Sequence, residues 1–111
     1  MVAWQCCREV ALAVYEASAT FPAAERFGLT AQLRRAAVSS AANIAEGYAR
    51  LGRAELRHAL SIALGSLAEV DTLLMLARDL GYLDEARYRA LLTVRERASR
   101  TTFGLQRKLS R

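Results

Sequence analysis

The chain is 111 residues long, carries a net charge of +5 and is 53% hydrophobic, with one proline and six glycines. This length fits a single globular domain. The apolar content excludes disorder, and the scarcity of proline and glycine argues against an all-β chain rich in turns. Because the chain also contains 22 alanines, the composition predicts an all-α protein.

Three features bear on the cellular compartment. No run approaches the ~18 uncharged apolar residues of a membrane span. Arg8 and Glu9 interrupt the apolar region that a signal peptide would need. Adjacent side chains on a helix point about 100° apart, so the neighbours Cys6 and Cys7 are expected to be free thiols. We therefore expect a cytoplasmic protein.

The positive charge is concentrated at the C-terminal end. Residues 1–83 carry eight basic and eight acidic side chains, whereas residues 84–111 carry eight basic and three acidic ones. The whole excess of +5 thus belongs to the last quarter of the chain.

The spacing of apolar residues predicts the first two helices. Helix one is predicted over residues 2–18 and closed by Phe21-Pro22, and helix two over residues 31–50, with Thr30 as its N-cap and Gly52 beyond its end. In both, apolar or small residues recur at intervals of four and three, as a bundle seam requires. The seam residues are Ala3, Cys7, Val10, Val14 and Ala17 in helix one, and Leu33, Ala37, Ser40, Ile44, Gly47 and Leu51 in helix two.

The third predicted helix, over residues 53–80, has two apolar seams side by side. More than half of its circumference is therefore apolar, and helix three should be central or contact another subunit. Gly81 ends it, and Asp84 caps helix four, predicted over residues 84–109. The first seam comprises Leu56, Leu60, Ala63, Leu67, Val70, Leu74 and Ala77, and the second seam comprises Ala59, Ile62, Ser66, Glu69, Leu73, Leu76 and Leu80.

Together these helices predict an antiparallel up-and-down four-helix bundle. An alanine-rich chain of this size has a small core. We therefore expect part of the stability to come from self-association, the alternative being a monomer with helix three buried at its centre.

Several segments resemble, in order and spacing, the small bacterial four helix bundle protein family, also called the 23S rRNA intervening-sequence protein family. The most specific are Asn43-Ile44-Ala45-Glu46-Gly47 and the later Gly65-Ser66, followed by Glu69. The resemblance covers nearly the whole chain and includes Trp4, Phe21–Thr30, Gln32–Ala37, Asn43–Tyr48, Ala63–Glu69 and Leu80–Leu83.

This resemblance implies an up-and-down bundle that associates into a ring-like homopentamer without known enzymatic activity. Members of the family are encoded within insertions in ribosomal RNA genes. A related protein, the accessory variability determinant of diversity-generating retroelements, is a basic pentameric barrel that binds a reverse transcriptase and nucleic acid. The sequence departs from the family pattern at Ser40 and Ala41, where Ile-Pro is common, and at His58, where an aromatic is common. The missing proline favours a straighter helix two.

A polar stripe on helix two falls within an arc of about 80°. It can be an ordinary solvated face. Because Ser66 and Glu69 interrupt the second seam of helix three and would need partners if buried, we also consider a network in which Arg35 pairs with Glu69. Ser39, Asn43 and Glu46 would complete this network, either between helices two and three or between subunits. Gly47 and Gly65 are expected to permit close helix packing. The stripe comprises Gln32, Arg35, Ser39, Asn43, Glu46 and Arg50.

A basic stripe on helix four falls within about 100° of arc, opposite the apolar side, and spans roughly 33 Å. It too can be a solvated face. Arginine predominates, which suits forked contacts to phosphate, and we expect Tyr88 and Phe103 to lie near the apolar side rather than beside the stripe. The basic stripe comprises Arg89, Arg97, Arg100, Arg107, Lys108 and Arg111.

Nothing in the sequence indicates catalysis, a metal or a cofactor. His58 is the only histidine, and Glu55-x-x-His58 has the spacing of a bundle metal site but stands alone. The sequence therefore favours a non-enzymatic oligomeric adaptor that binds RNA or DNA, as an accessory subunit of a reverse transcriptase or another nucleic-acid enzyme. The alternatives are a protein-interaction scaffold and, less favoured for lack of anchoring aromatics, a membrane-surface role for helix four.

Overall fold

The computed structural model describes residues 1–110, which form four α-helices and contain no β-strand. The helices are α1 (Val2–Ser18), α2 (Leu29–Ala49), α3 (Arg53–Asp79) and α4 (Glu85–Leu109), with a 3-10 turn at Ala23–Glu25 between α1 and α2. The prediction of an all-α chain is confirmed. The predicted helix ends lie within two residues of the observed ones.

The helices pack as a square, up-and-down bundle measuring 43 × 25 × 18 Å. In the part of the chain that the structure describes, α1 packs against α2 and α4, α3 packs against the same two helices, and α1 and α3 lie diagonally opposite each other. The expectation that helix three is central is therefore wrong, because α3 occupies one corner of the square. Its contact with another subunit stays a prediction.

The predicted seams form the core. The α1 seam is buried throughout, the first seam of α3 is buried except for the half-buried Leu56, and the α2 seam is buried except at Leu51. Leu51 is fully exposed because α2 ends at Ala49, so this residue lies in the loop beyond the helix. The largest fully buried side chains are Leu33, Ile44, Leu60, Leu67 and Leu74.

The turn between α3 and α4 contains the helix-stop and N-cap residues that the sequence predicted. Asp84 is the N-cap of α4, and its Oδ1 accepts a hydrogen bond of 2.7 Å from the Arg87 amide. Gly81 has φ +82°, and the amides of Gly81 and Tyr82 donate to the carbonyls of Arg78 and Ala77, the pattern of a Schellman C-cap. Both predictions for this turn are confirmed.

The N-cap prediction for α2 is wrong. Gly28, not Thr30, precedes the first helical residue, and Thr30 is buried inside the first turn. The 3-10 turn brings Glu25 close to the helix start, where its Oε1 accepts from the Leu29 amide at 3.1 Å. Glu25 thus supplies the cap from four residues away.

By length and composition alone, α3 is apolar enough to cross a membrane, although no such segment was expected. Helices in the core of a bundle satisfy the same criterion. Of the 18-residue apolar stretch of α3 that meets this criterion, only 39% is buried in the chain. Much of the apolar surface of α3 therefore faces outward.

Candidate interaction surfaces

The basic stripe lies on the outward face of α4. The opposite face turns Tyr88, Leu91, Ala98 and Thr102 into the core, and the 3.6-residue period then points the stripe away from the bundle. Its members Arg89, Arg97, Arg100, Arg107 and Lys108 are exposed. Arg111 lies outside the described residues.

Most of these charges have no acidic partner among residues 1–110. Arg97 pairs with Glu9 of α1, with 3.3 Å between Nη1 and Oε2. Within residues 1–110, no carboxylate oxygen lies within 4.0 Å of the cationic groups of the other stripe members, Arg89, Arg100, Arg107 and Lys108. An anion approaching α4 would therefore meet unneutralised charge.

Phe103 corrects one expectation about this face. Its ring is 51% exposed, and the Arg107 guanidinium lies over it at 5.9 Å from the ring centre. The adjacent Thr102 takes the core position at this height, where its hydroxyl lies 3.7 Å from Cys7 Sγ. Phe103 is consequently turned toward solvent beside the stripe, whereas Tyr88 is buried as expected.

One hydrogen bond from the polar stripe connects α2 to α3, and a second stripe residue supports it from within α2. The Ser39 and Ser66 hydroxyls are 3.0 Å apart, and Asn43 Nδ2 donates to the Ser39 carbonyl at 2.8 Å and to its Oγ at 2.9 Å. Each of these three side chains is half-buried. They form one polar contact between the two helices.

The ion pair expected within this network does not form inside the chain. Arg35 and Glu69 are both exposed, and no ion pair joins them in residues 1–110. Glu69 therefore needs no partner inside the chain, because α2 covers only part of the second seam of α3 and leaves this side chain exposed. Glu46, also placed in the network, instead pairs with Arg50 at 3.1 Å.

The second seam is left half-covered. Ala59 and Leu73 are buried and Ser66 is half-buried, but Ile62, Leu76 and Leu80 are between 42% and 55% exposed. Glu69 lies among these exposed apolar side chains. The result is an apolar face with one acidic group.

The two glycines assigned to close packing differ. A Cβ at Gly47 would lie 2.5 Å from Ala59 Cβ, so α2 and α3 approach closely there. A Cβ at Gly65 would meet nothing within 4 Å. Gly65 therefore permits no close helix approach within residues 1–110, because this residue faces outward from α3.

A groove of about 650 Å³ between α1 and α2 was not predicted from the sequence. Arg34 lies over the Tyr15 ring at 4.5 Å and donates from Nε to Ser18 Oγ at 2.8 Å, while Arg26 lies over the Phe27 ring at 5.2 Å. The sequence feature that could have indicated this groove is the pair Arg26-Phe27, which lies close along the chain to Arg34-Arg35. The lining residues are Tyr15, Arg26, Phe27, Thr30, Ala31, Arg34, Arg35, Val38 and Ser39.

Titratable groups that could support chemistry are scattered. Cys6 and Cys7 are free thiols as expected, both are buried, and burial raises the pKa of Cys7. Glu55 and His58 are exposed, and Glu55 lies 3.9 Å from Arg50. In the described part of the chain no three His, Cys, Asp or Glu side chains converge on a point that could hold a metal ion.

The geometry defines the class of protein as an up-and-down four-helix bundle with a basic outer helix. The model of the 23S rRNA-intervening sequence protein family matches residues 1–104, and the chain belongs to that family. This confirms the resemblance drawn from the sequence.

Among solved structures, the chain is similar to a protein of unknown function from the S23 ribosomal protein family of Bacteroides thetaiotaomicron VPI-5482. The TM-score is 0.83 at 21% identity, over 95% of this chain and 98% of the other. That likeness supports the fold. A comparison with curated proteins gives no significant match.

Proposed function

We propose that this protein is a non-enzymatic homo-oligomeric adaptor whose basic stripe binds the phosphate backbone of RNA or DNA. The observation that carries the proposal is the row of exposed cations on α4, four of which have no carboxylate partner in residues 1–110. Its partner would be a nucleic-acid enzyme, such as a reverse transcriptase, and its compartment the cytoplasm.

The dimensions of the stripe suit a duplex backbone. Arg89 and Arg100 are about 16 Å apart along α4, and Arg100 and Arg107 about 10 Å, at 1.5 Å per residue. A nucleic-acid duplex carries one negative charge per about 1.7 Å of its axis, so each guanidinium can reach a phosphate without regard to base sequence. We expect binding governed by charge and shape.

Self-association would strengthen this binding. The half-covered second seam of α3 presents Ile62, Leu76 and Leu80 around Glu69, an arrangement suited to contact with a second copy. The exposed Arg35 of a neighbouring copy is the proposed partner of Glu69. Head-to-tail contacts form a ring when the rotation between successive copies closes, and the ring-like pentamer implied by the family resemblance would display five basic stripes.

Salt-dependent binding to a blunt 20-base-pair RNA duplex tests the nucleic-acid role. We expect the logarithm of affinity to fall linearly with the logarithm of salt concentration, with a slope of about 0.9 per neutralised phosphate. The variant Arg89→Glu/Arg100→Glu/Arg107→Glu should weaken binding at least ~10-fold and lower the slope by about two to three.

A matched pair of single variants controls for net charge. Arg100→Glu and Arg8→Glu each reverse one exposed charge that has no carboxylate partner in residues 1–110, but Arg8 lies on α1, away from the stripe. We expect only Arg100→Glu to weaken duplex binding. Equal effects of the two variants, or binding unaffected by salt, would refute the proposal.

A protein-interaction scaffold without a nucleic-acid role is the second candidate. The observation favouring it is the apolar exposure of the second seam, which would be its docking face. In that case the stripe variants would change neither the affinity for the duplex nor the salt dependence of that affinity.

A further inference from the structure

The groove between α1 and α2 concentrates positive charge, and only part of it, the Arg34 guanidinium that donates to Ser18 Oγ at 2.8 Å, is known to bond within the bundle. Arg26, Arg34 and Arg35 all line it, and in residues 1–110 no carboxylate oxygen lies within 4.0 Å of their guanidinium groups. The neighbouring Glu25 is engaged elsewhere, since its Oε2 accepts from the Tyr82 hydroxyl at 2.9 Å and its Oε1 from the Leu29 amide. The groove is thus complementary to an anion.

Two aromatic rings stand beside these cations. Phe27 is 87% exposed at the mouth of the groove, and Tyr15 is 47% exposed beneath Arg34. Burial in the bundle does not account for a phenyl ring in this position. Aromatic rings interleaved with arginines are the elements with which proteins hold unpaired bases and their phosphates.

The rings decide between possible anions. A blunt duplex keeps its base faces stacked and offers only its backbone, and an acidic peptide offers carboxylates without flat faces. Unpaired nucleotides offer both a phosphate for each guanidinium and a base for the exposed ring. The groove volume of about 650 Å³ also lies in the usual range for ligand sites.

We infer that this groove binds unpaired nucleotides, with Phe27 stacking on a base and Arg26 and Arg34 contacting the flanking phosphates. The inference rests on the proposed nucleic-acid role and adds a second site with a distinct substrate class. The basic stripe on α4 would hold a duplex, and the groove would hold a single strand that continues from it.

Three probes separate the two sites by fluorescence anisotropy: the blunt 20-base-pair RNA duplex, the same duplex with a ten-nucleotide single-stranded overhang, and a decamer of glutamate. We expect the overhang to tighten binding and the glutamate peptide to bind more weakly than the overhang. Phe27→Ala should weaken overhang binding by roughly 5- to 100-fold, the usual effect of losing one base-stacking ring, and leave blunt-duplex binding unchanged.

Conservative variants distinguish stacking from apolar contact. Phe27→Leu keeps apolar bulk but removes the ring and should bind the overhang as poorly as Phe27→Ala. Phe27→Trp keeps an aromatic ring and should bind the overhang as well as the wild type does. A 2-aminopurine in the overhang should lose fluorescence on binding to the wild type but not to Phe27→Leu. Because Phe27 is exposed, these substitutions leave the core intact.

Several outcomes would overturn the inference. These are an overhang that adds no affinity, a Phe27→Leu variant that binds like the wild type, tighter binding of the glutamate peptide, or a fall in particle mass in Phe27→Ala, which would make the groove a contact between copies. If the wild type failed to bind the blunt duplex but bound the overhang, the proposed role of the α4 stripe would be wrong. The inference about the groove would still hold.

Discussion

Replacement of Gly47 by alanine gives a sharp test of the α2–α3 packing. The added Cβ would lie 2.5 Å from Ala59 Cβ and 3.2 Å from Leu56 Cδ1, whereas carbon atoms in contact sit about 3.5–4.0 Å apart. The helices must move apart by about 1 Å, and overpacking of this kind costs about 1–3 kcal/mol. A gain of up to about 1 kcal/mol in helix propensity opposes this cost.

Gly65→Ala is the matched control. It makes the same chemical change inside α3, where the new Cβ meets nothing within 4 Å. We expect the control to gain up to about 1 kcal/mol in the free energy of unfolding. The difference between the two variants then reports the steric cost, so Gly47→Ala should be less stable than Gly65→Ala by about 1–3 kcal/mol.

Urea unfolding followed by circular dichroism provides the assay, with all variants at one protein concentration because the proposed self-association would contribute to stability. The double variant Gly47→Ala/Ala59→Gly relieves the clash by removing the opposing methyl group. The effects of its two changes on the free energy of unfolding should therefore be non-additive. The double variant should be more stable than the sum of the two single effects predicts. Equal stability of Gly47→Ala and Gly65→Ala would refute the close approach of α2 and α3.

Three further outcomes follow from particular contacts. Asp84→Ala removes the N-cap of α4 and should lower the free energy of unfolding by about 1 kcal/mol, measurable by urea titration; no change would contradict the capping role. Cys6 and Cys7 are buried and the pKa of Cys7 is raised, so Ellman's reagent should label both thiols rapidly only in denaturant, and rapid labelling of the native protein would contradict their burial. The hydrogen bond to Glu25 raises the pKa of the Tyr82 hydroxyl above its ordinary value of 10.0. Its contribution to stability is therefore present below pH 10 and lost as pH rises through the folded pKa, and Tyr82→Phe should weaken this alkaline loss of stability in urea titrations.

The sequence predicted the bundle because the information it needs is local. Apolar spacing of four and three fixed the buried face of each helix, and Gly81 and Asp84 act through their own backbone and side chain. The N-cap of α2 could not be found this way, since Glu25 reaches it only after the 3-10 turn folds. The prediction that Leu51 belongs to the α2 seam was wrong for a related reason. The apolar pattern continues past Ala49, where the helix ends.

The surfaces were harder to predict because they depend on how the helices are placed. The exposure of Glu69 follows from how much of α3 its neighbour α2 covers, which periodicity does not contain. The α1–α2 groove brings Tyr15 of α1 beside Arg34 of α2 and next to the turn residue Phe27. The basic stripe was accessible to sequence reasoning since all its members lie on one helix.

The mass of the particle in solution tests the central claim most directly, namely that the apolar second seam around Glu69 gathers copies into a multimer displaying the basic stripes. Sedimentation equilibrium at micromolar concentration should give a mass several times the chain mass of 12.2 kDa. Glu69→Arg should lower that mass, and Glu69→Arg/Arg35→Glu should restore it by exchanging the two charges. A wild-type protein that sediments as a single 12.2 kDa chain would contradict the account.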